Sequence, residues 1–376
     1  MALASIAAER LARQKHQKYF ERHLLILPSK YQDNEPNKLA IVTYALIGLS
    51  ILGVDTSKKY QGSIAWLLEH QRHVSYEECS IAGFIPSLST NIEEAPSLSL
   101  MSTLFGLWGL ICLGARDSSV FKDIDLQGIG QFVSKCQCDN GSFVSNFDVL
   151  PSSEIHRSCI DPTDLRYSYA AVTILHLIGC RKSEDFSRYI SIENLIEFIK
   201  TQTGVNGGFG QYNEAHAGLT SCALSILDML NDQWDCLSAR FFEQTAEWLL
   251  QRQVSNQGAM TLMIDKNECY DPEDQGGFQG RENKFADTCY GFWCLNSLSI
   301  LQAHTDVKFD CGNALSDYLL DSTQNKLLGG FAKNNEDDPD LYHSCLGLAA
   351  LSLNADEFNG TLFLPRQLSE NFLVPS

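Results

Sequence analysis

The sequence has few basic residues and no long uninterrupted hydrophobic run. Its 376 residues include 28 lysines and arginines against 46 aspartates and glutamates, which gives a formal net charge of −18 at pH 7. Because nucleic acid is bound through a positively charged face, this balance argues against a nucleic-acid partner. No segment approaches the roughly 20 apolar residues of a membrane-spanning helix, and no secretory signal is visible near Met1. We therefore expect a cytoplasmic protein without a membrane span.

Alternating runs of β-branched residues are also scarce, and no segment has a convincing strand pattern. Residues 76–97 look like a loop. Most of the 13 cysteines occur within apolar helical patterns, where the default interpretation is a small buried hydrophobe in a reducing compartment. Together these features predict an all-α protein.

A unit of two helices joined by a glycine-phenylalanine turn recurs along the chain. In each unit a helix ends near a glutamine or serine, a polar turn carries Gly-x-Phe or Gly-Gly-Phe, and a more apolar helix follows. The phenylalanines of these turns are Phe84, Phe143, Phe209, Phe278 and Phe331. Because two-helix units bury their apolar faces by stacking, we expect a closed α/α toroid. It would be an α6/α6 barrel of helical hairpins with the Gly-Phe turns at one rim.

The N-terminal region differs from the repeated units because it is polar. Residues 1–35 are predicted to be a leader region with a short amphipathic helix from Lys15 to Leu27, ended by Pro28. The apolar segment 38–53 is predicted to be a buried helix. We expect the whole chain, residues 1–376, to form a single domain.

Candidate metal ligands follow the turn that contains Phe278. Asp287 and Cys289 can both reach one ion only if a helix begins near Asp287, whose side chain also suits a helix N-cap. His343, at the equivalent position of the next unit, is the natural third ligand. A carboxylate, a thiolate and an imidazole with one position left open are typical of catalytic zinc, so this pattern predicts a zinc site. The alternative is a set of ordinary polar groups without a metal.

Positive and hydrogen-bonding side chains accompany the predicted metal site. These candidates are His216, Arg281, Lys284 and Tyr290. Two cations, a phenol and an imidazole brought together from adjacent units would suit a diphosphate. The alternative is an exposed charged loop that forms ion pairs with Glu282 or Asp274.

The segment Gly276-Gly-Phe-Gln-Gly-Arg-Glu-Asn-Lys-Phe-Ala-Asp-Thr-Cys-Tyr-Gly-Phe-Trp293 resembles the β-subunit signature of protein prenyltransferases. Two further blocks match this family, Glu214-Ala-His216-Ala-Gly-Leu-Thr-Ser-Cys222 and Asp340-Leu-Tyr-His343. The resemblance is strong from about residue 130 to 355. It implies an α/α barrel, a catalytic zinc, an isoprenoid diphosphate substrate and an obligatory α-subunit partner in a heterodimer.

The resemblance also implies roles for individual residues. The implied zinc ligands are Asp287, Cys289 and His343, and the implied diphosphate contacts are His216, Arg281, Lys284 and Tyr290. Arg166 resembles an arginine near the C-terminal end of the substrate peptide. The implied walls of the isoprenoid pocket are Tyr169, Cys222 and Trp293. The implied reaction is zinc-assisted thioether formation, in which the cysteine of a C-terminal CaaX motif attacks C1 of the isoprenoid diphosphate.

A few positions separate the branches of this family. Farnesyltransferases carry a bulky tryptophan in the first inner helix, whereas this chain has Ala40 there and Tyr44 one turn later, which leaves room for a longer lipid. Lys333 stands ten residues before His343, and its ammonium can replace magnesium beside a diphosphate. Both features favour the type I geranylgeranyltransferase branch, of the fungal type. Tyr342, in contrast, matches farnesyltransferases.

The resemblance therefore implies a β subunit that transfers geranylgeranyl to CaaX termini, with Rho-type small GTPases as expected substrates. Basic segments before the CaaX motif would be attracted to the acidic chain. Zinc is the expected cofactor, and magnesium stays open because nearby carboxylates, Glu336, Asp337 and Asp338, could recruit an ion. The alternatives are a farnesyltransferase or Rab geranylgeranyltransferase β subunit and, more distantly, a terpene-cyclase-like toroid or a non-catalytic scaffold.

Overall fold

The computed structural model describes residues 9–76, 79–89, 91–114, 118–150, 155–158, 164–255, 271–310 and 313–371. The chain divides into two compact units that interleave in sequence. Unit 1 comprises Met1–Arg22, Gln202–Ser225 and Trp234–Phe363. Unit 2 comprises His23–Thr201, Ile226–Gln233 and Leu364–Ser376.

Helices dominate the described part of the chain. In chain order they are α1 (Arg13–Leu25), α2 (Lys38–Ile51), α3 (Thr56–Lys59), α4 (Ser63–Leu68), α5 (Leu100–Gly114), α6 (Leu126–Cys136), α7 (Leu165–Leu177), α8 (Ser183–Phe186), α9 (Ile192–Thr201), α10 (Ala217–Met229), α11 (Ala239–Leu250), α12 (Thr288–His304), α13 (Ala314–Asp317), α14 (Leu341–Asn354) and α15 (Arg366–Asn371). Short 3₁₀ segments cover Ser29–Asn37, Ser118–Phe121, Asn231–Cys236 and Pro272–Asp274, and a π-helical turn covers Tyr318–Thr323. None of the described helices has the length and apolar character needed to cross a membrane.

The expectation that the chain contains no strand is wrong. The strands are β1 (Gln71–Tyr76), β2 (Cys79–Phe84), β3 (Ser97–Ser99), β4 (Asn146–Val149), β5 (Ile155–Ser158), β6 (Gly210–Gln211), β7 (Glu214–Ala215), β8 (Phe358–Asn359) and β9 (Leu364–Pro365). The first five form one antiparallel sheet in unit 2, in which Gln71 pairs with Phe84 and Leu98 with Phe147. β2 lies in the segment that resembles a loop in sequence. It has no alternating pattern, because its last four residues are all buried, and cross-strand pairing fixes its conformation.

Four of the five predicted Gly-Phe turns share one construction, which confirms these repeats, whereas Gly83 and Phe84 lie at the end of strand β2. In each of four helix–turn–helix repeats, a backbone bridge joins a residue just after the first helix to the turn phenylalanine. The four pairs are Gln137–Phe143, Thr203–Phe209, Gln253–Phe278 and Gln324–Phe331. Each of these phenylalanines is buried. A glycine at positive φ lets the turn lie close to α13, since a Cβ at Gly276 (φ 86°) would clash with the carbonyl of Ala314.

The N-terminal helix α1 completes the last of these units. A Cβ at Gly329 would clash with the Lys15 carbonyl, so α1 lies against this turn as α13 lies against the Gly276 turn. His16 Nδ1 accepts a hydrogen bond from the Gly330 N–H at 2.9 Å. The predicted helix is confirmed with shifted bounds, Arg13–Leu25 instead of Lys15 to Leu27, and its residues up to Arg22 belong to unit 1.

Helices α12 and α14 pack against each other in unit 1, and α11 packs on α12. Both α12 and α14 begin with an aspartate N-cap, Asp287 and Asp340 respectively. The side chains in the first turns of these two helices supply the site described next.

Candidate metal centre and anion-binding loop

Two N-caps fix the positions of the predicted metal ligands. Asp287 Oδ1 accepts a hydrogen bond from the Cys289 N–H at 2.8 Å. Asp340 Oδ1 accepts one from the His343 N–H at 2.9 Å. Because these bonds close the first turn of each helix, Cys289 and His343 leave their helices at defined positions. The expectation that a helix begins next to Asp287 is confirmed.

Asp287, Cys289 and His343 lie together in unit 1. One potential ligand atom from each residue lies within 4.8 Å of the other two. His343 Nε2 is 3.2 Å from Asp287 Oδ1. Ligands around a tetrahedral zinc ion are about 3.5 Å apart, given metal–ligand bonds of about 2.0 to 2.3 Å. The carboxylate, thiol and imidazole therefore fit a zinc ion in both spacing and chemistry.

The pKa values of the site show that it stabilises positive charge. Burial alone would lower the pKa of His343, but hydrogen bonds and charge from Asp287 and Asp340 outweigh it and raise the pKa to about 9. Burial alone would raise the pKa of Asp287, but its contacts with His343 and Cys289 lower it. The carboxylates of Asp287 and Asp340 thus stabilise a protonated His343, and they would stabilise a metal cation bound beside His343 in the same way.

Unlike His343 and Asp287, Cys289 is stabilised in its neutral form. Burial, followed by the neighbouring charge of Asp287, raises its pKa well above the ordinary value. A thiolate is therefore unfavourable here without a compensating cation. Metal ions deprotonate a coordinating thiol outright, so the thiol chemistry agrees with a metal site.

His216 and Tyr290 form the polar centre of the predicted anion site. His216 Nε2 and Tyr290 Oη share a hydrogen bond of 3.2 Å, and their rings meet edge to face with centroids 5.5 Å apart. Gly280 makes room for this contact, because a Cβ there would clash with the Tyr290 ring. Burial is the main reason that the pKa of Tyr290 rises to about 12, so its hydroxyl remains a hydrogen-bond donor at neutral pH.

Arg281 does not pair with either carboxylate that the charged-loop alternative names. Its Nη1 lies 3.1 Å from Glu214 Oε2. Asp274 is buried and accepts the Ala286 N–H at 2.8 Å, while Glu282 lies 3.8 Å from Arg252. The pairing part of that alternative is therefore wrong for Arg281.

The two lysines of the predicted site are exposed. Lys284 follows Arg281 on the same loop. The carbonyl of Lys333 accepts the Thr288 N–H at 2.9 Å, which places this residue at the N-terminus of α12. Both lysines therefore lie close in the chain or in space to the start of α12, where Asp287 and Cys289 are.

The predicted pocket residues fall into two groups. In unit 1, Trp293 Nε1 donates to Tyr342 Oη at 3.4 Å, the Tyr342 ring meets the His343 ring at 4.9 Å, and Cys222 is buried on α10. In unit 2 lie Ala40 and Tyr44 on α2 and Arg166 and Tyr169 on α7. Arg166 Nε is 2.9 Å from Asp164 Oδ2, the N-cap carboxylate of α7.

Asp340 is a site residue that the sequence reasoning did not assign. Its Oδ2 accepts the Nδ1–H of His343 at 2.6 Å, and Nε2 of the same ring faces Asp287. A signal for this role exists, since an aspartate three residues before a histidine at the start of an apolar helix can cap the helix and orient the ring.

Comparison with known proteins places these features in one family. Residues 11–370 match the family described as the prenyltransferase alpha-alpha toroid domain. The chain therefore belongs to this family, which confirms the predicted toroid fold class. Its relatives include the geranylgeranyl transferase type-1 subunit beta of Dictyostelium discoideum, 27% identical over 90% of both chains. The Arabidopsis thaliana protein of the same name is 30% identical over 90% of this chain and 84% of its own.

A solved structure gives the same result. Candida albicans protein geranylgeranyltransferase-I complexed with GGPP has 32% sequence identity to this chain and a TM-score of 0.80. The match covers 96% of this chain and 97% of the Candida chain. Within the family, these relatives all belong to the type I geranylgeranyltransferases.

Proposed function

We propose that this chain is the catalytic β subunit of a type I protein geranylgeranyltransferase. It would transfer geranylgeranyl from geranylgeranyl diphosphate to the cysteine of C-terminal CaaX motifs. The observation that carries the proposal is the cluster of Asp287, Cys289 and His343, in a chain similar to type-1 β subunits over 90% of its length.

Asp287, Cys289 and His343 are the proposed zinc ligands. When bound, zinc would hold the substrate thiol as a thiolate at neutral pH. Asp340 occupies Nδ1 of His343 and so leaves Nε2 for the cluster, a common arrangement around metal-binding histidines.

In the proposed reaction a carbon–sulfur bond forms at C1 of the lipid as the C1–oxygen bond breaks. The thiol proton passes to solvent, and pyrophosphate leaves with the bonding electron pair. Charge that grows on the leaving group would be stabilised by fixed donors, as in an oxyanion hole. The proposed donors are His216, Arg281, Lys284, Tyr290 and Lys333. The Lys333 ammonium would replace magnesium, and omitting magnesium from the assay tests this point.

Further assignments rest on the family resemblance. The proposed lipid and peptide pocket residues are Ala40, Tyr44, Arg166, Tyr169, Cys222, Trp293 and Tyr342. We propose a prenyltransferase α subunit as the obligate partner, and CaaX proteins with basic segments, such as Rho-type small GTPases, as substrates. The whole chain would act as a single domain in the cytoplasm.

A competition assay tests the proposed function. The chain would be coexpressed with the α subunit of its own organism, and the purified complex given farnesyl and geranylgeranyl diphosphates with CaaX peptides ending in leucine or serine. We expect stoichiometric zinc and a preference for the geranylgeranyl donor and leucine. A preference for the farnesyl donor and serine would make the chain a farnesyltransferase subunit, and no transfer would reject the proposal.

Two cysteines of α12 supply a matched pair for the metal assignment. Cys289 and Cys294 are both buried on this helix, but only Cys289 belongs to the metal cluster. We expect Cys289→Ala to lose zinc and transfer activity, whereas Cys294→Ala keeps its zinc. A toroid that cyclises terpenes, or a scaffold, would show no such dependence on Cys289.

A further inference from the structure

Two glutamates of unit 1 each lie beside an arginine. Glu214 Oε2 is 3.1 Å from Arg281 Nη1, and Glu282 Oε1 is 3.8 Å from Arg252 Nη2. Both glutamates line the same small cavity beside Trp248, and their side chains are similarly exposed, at 63% and 56%. Each would repel an incoming diphosphate, and the two differ mainly in the arginine that they neutralise.

Arg252 is an internal counter-ion. Only 5% of the residue is exposed, its Nε donates to the Trp248 carbonyl at 3.2 Å, and its guanidinium lies over the Trp248 ring at 4.9 Å. Its own carbonyl accepts the Gln279 N–H at 2.8 Å, behind the loop that carries Arg281. These contacts hold the Arg252 guanidinium beside Glu282 without any contribution from a ligand.

Arg281 is in a different position, because its side chain is 40% exposed and it is a proposed diphosphate contact. The partner Glu214 is held next to it by a two-residue hairpin between β6 and β7. Tyr212 and Asn213 in this hairpin have φ values of 52° and 64°, which are typical of a type I′ turn. The carboxylate that neutralises Arg281 thus stands on a defined backbone, two residues before His216.

We infer that Glu214 competes with the diphosphate for Arg281 and thereby sets the affinity for isoprenoid diphosphate and the release of pyrophosphate. The inference rests on the proposed function and adds an affinity-determining residue to it. A carboxylate and a phosphate use the same donor edge of a guanidinium. Binding therefore has to displace Glu214 from Arg281, and the ion pair forms again when pyrophosphate leaves.

The test compares Glu214→Gln with Glu282→Gln in the complex with the α subunit. Both variants remove one negative charge from the same region and keep the size of the side chain, but only Glu214→Gln frees Arg281. The dissociation constant of geranylgeranyl diphosphate and the inhibition constant of pyrophosphate would be measured. We expect Glu214→Gln to tighten both by about three- to fivefold, the range of an exposed ion pair, and Glu282→Gln to change them by less than about twofold.

A double variant isolates the competition. In an Arg281→Gln background, Glu214→Gln should tighten binding by less than about twofold, the general charge effect also expected of Glu282→Gln, because the contested cation is absent. Weaker binding by Glu214→Gln, equal effects of the two glutamates, or the full, roughly three- to fivefold tightening without Arg281 would each overturn the inference. A wild-type complex that binds no geranylgeranyl diphosphate would instead reject the proposed function itself.

Discussion

His16 is fully buried and the side chain of His343 is 13% exposed, and both belong to unit 1, yet their pKa values move in opposite directions. The pKa of His343 rises to about 9, because hydrogen bonds and charge from Asp287 and Asp340 outweigh the effect of burial. The pKa of His16 falls to about 4, because burial outweighs its hydrogen bond with Gln324. The residue type is the same and both rings lie mostly out of solvent, so the difference comes chiefly from the neighbouring carboxylates.

The surroundings of His16 explain a structural role. Its Nδ1 accepts the Gly330 N–H at 2.9 Å, its Nε2–H donates to Gln324 Oε1 at 3.0 Å, and its ring stacks on Phe331 at 4.8 Å. This neutral imidazole joins α1 to the last Gly-Gly-Phe turn. A histidine with two carboxylates therefore marks the candidate chemistry, while a histidine with neutral partners holds the fold together.

The largest expected effect follows from removing each imidazole in turn. His343→Ala should lower zinc affinity and activity by more than about 100-fold, since the loss of an outer-shell partner alone costs about 10- to 100-fold. Folded His16→Ala should retain its zinc, because it lacks contact with the metal cluster and acts through stability. Zinc content and turnover of the purified complexes measure the difference. Loss of zinc from folded His16→Ala would break the comparison.

The second effect is acid sensitivity caused by His16. Its folded pKa of about 4 lies below the unfolded value, so the unfolded state binds more protons between these limits. The stabilisation is complete above about pH 6.5 and is lost as the pH falls towards 4, by up to about 3 kcal/mol. His16→Gln should remove this part of the pH dependence. Urea unfolding at pH 7 and pH 5 measures how the free energy of unfolding changes with pH. If this change were the same in His16→Gln as in the wild type, the assignment to His16 would be contradicted.

A smaller effect is expected from the outer partner of His343. Asp340→Asn keeps an oxygen that can cap α14, but it removes the carboxylate charge that faces Nδ1 of His343. Zinc affinity should therefore fall by about 10- to 100-fold. Asp338→Asn is the control. It also removes one negative charge, from an exposed residue only two positions before Asp340. Equal losses in both variants would show a general charge effect instead of ring orientation.

Local patterns account for what sequence reasoning predicted. Asp287, Cys289 and His343 meet because the same turn recurs and an aspartate begins the helix after it, and both features are visible in the sequence. The pairing of Arg281 with Glu214 could not be predicted, because it joins loops 67 residues apart and no spacing encodes which loops are adjacent. The five-stranded sheet was missed for a similar reason, since cross-strand pairing and not alternation defines its strands.

The smallest expected effect tests whether α1, the helix that contains His16, supports the metal cluster around His343. Tyr19 on α1 is buried, and its hydroxyl donates to the Pro339 carbonyl at 2.8 Å, immediately before Asp340. Tyr19→Phe should lower the free energy of unfolding by about 1 kcal/mol, because the carbonyl loses its partner. Tyr318→Phe is the matched control, since the buried Tyr318 hydroxyl has no hydrogen-bond partner among the described residues.

We expect Tyr318→Phe to leave the free energy of unfolding unchanged or slightly higher, because it removes a buried polar atom that has no described partner. Zinc affinity should stay within about threefold in both tyrosine variants, since Asp340 still orients His343. If Tyr19→Phe were as mild as Tyr318→Phe, the bond to Pro339 would not be stabilising. If it instead reduced zinc affinity as much as Asp340→Asn, the helix that contains His16 would belong to the metal site as well as to the fold, and the division between the two histidines would fail.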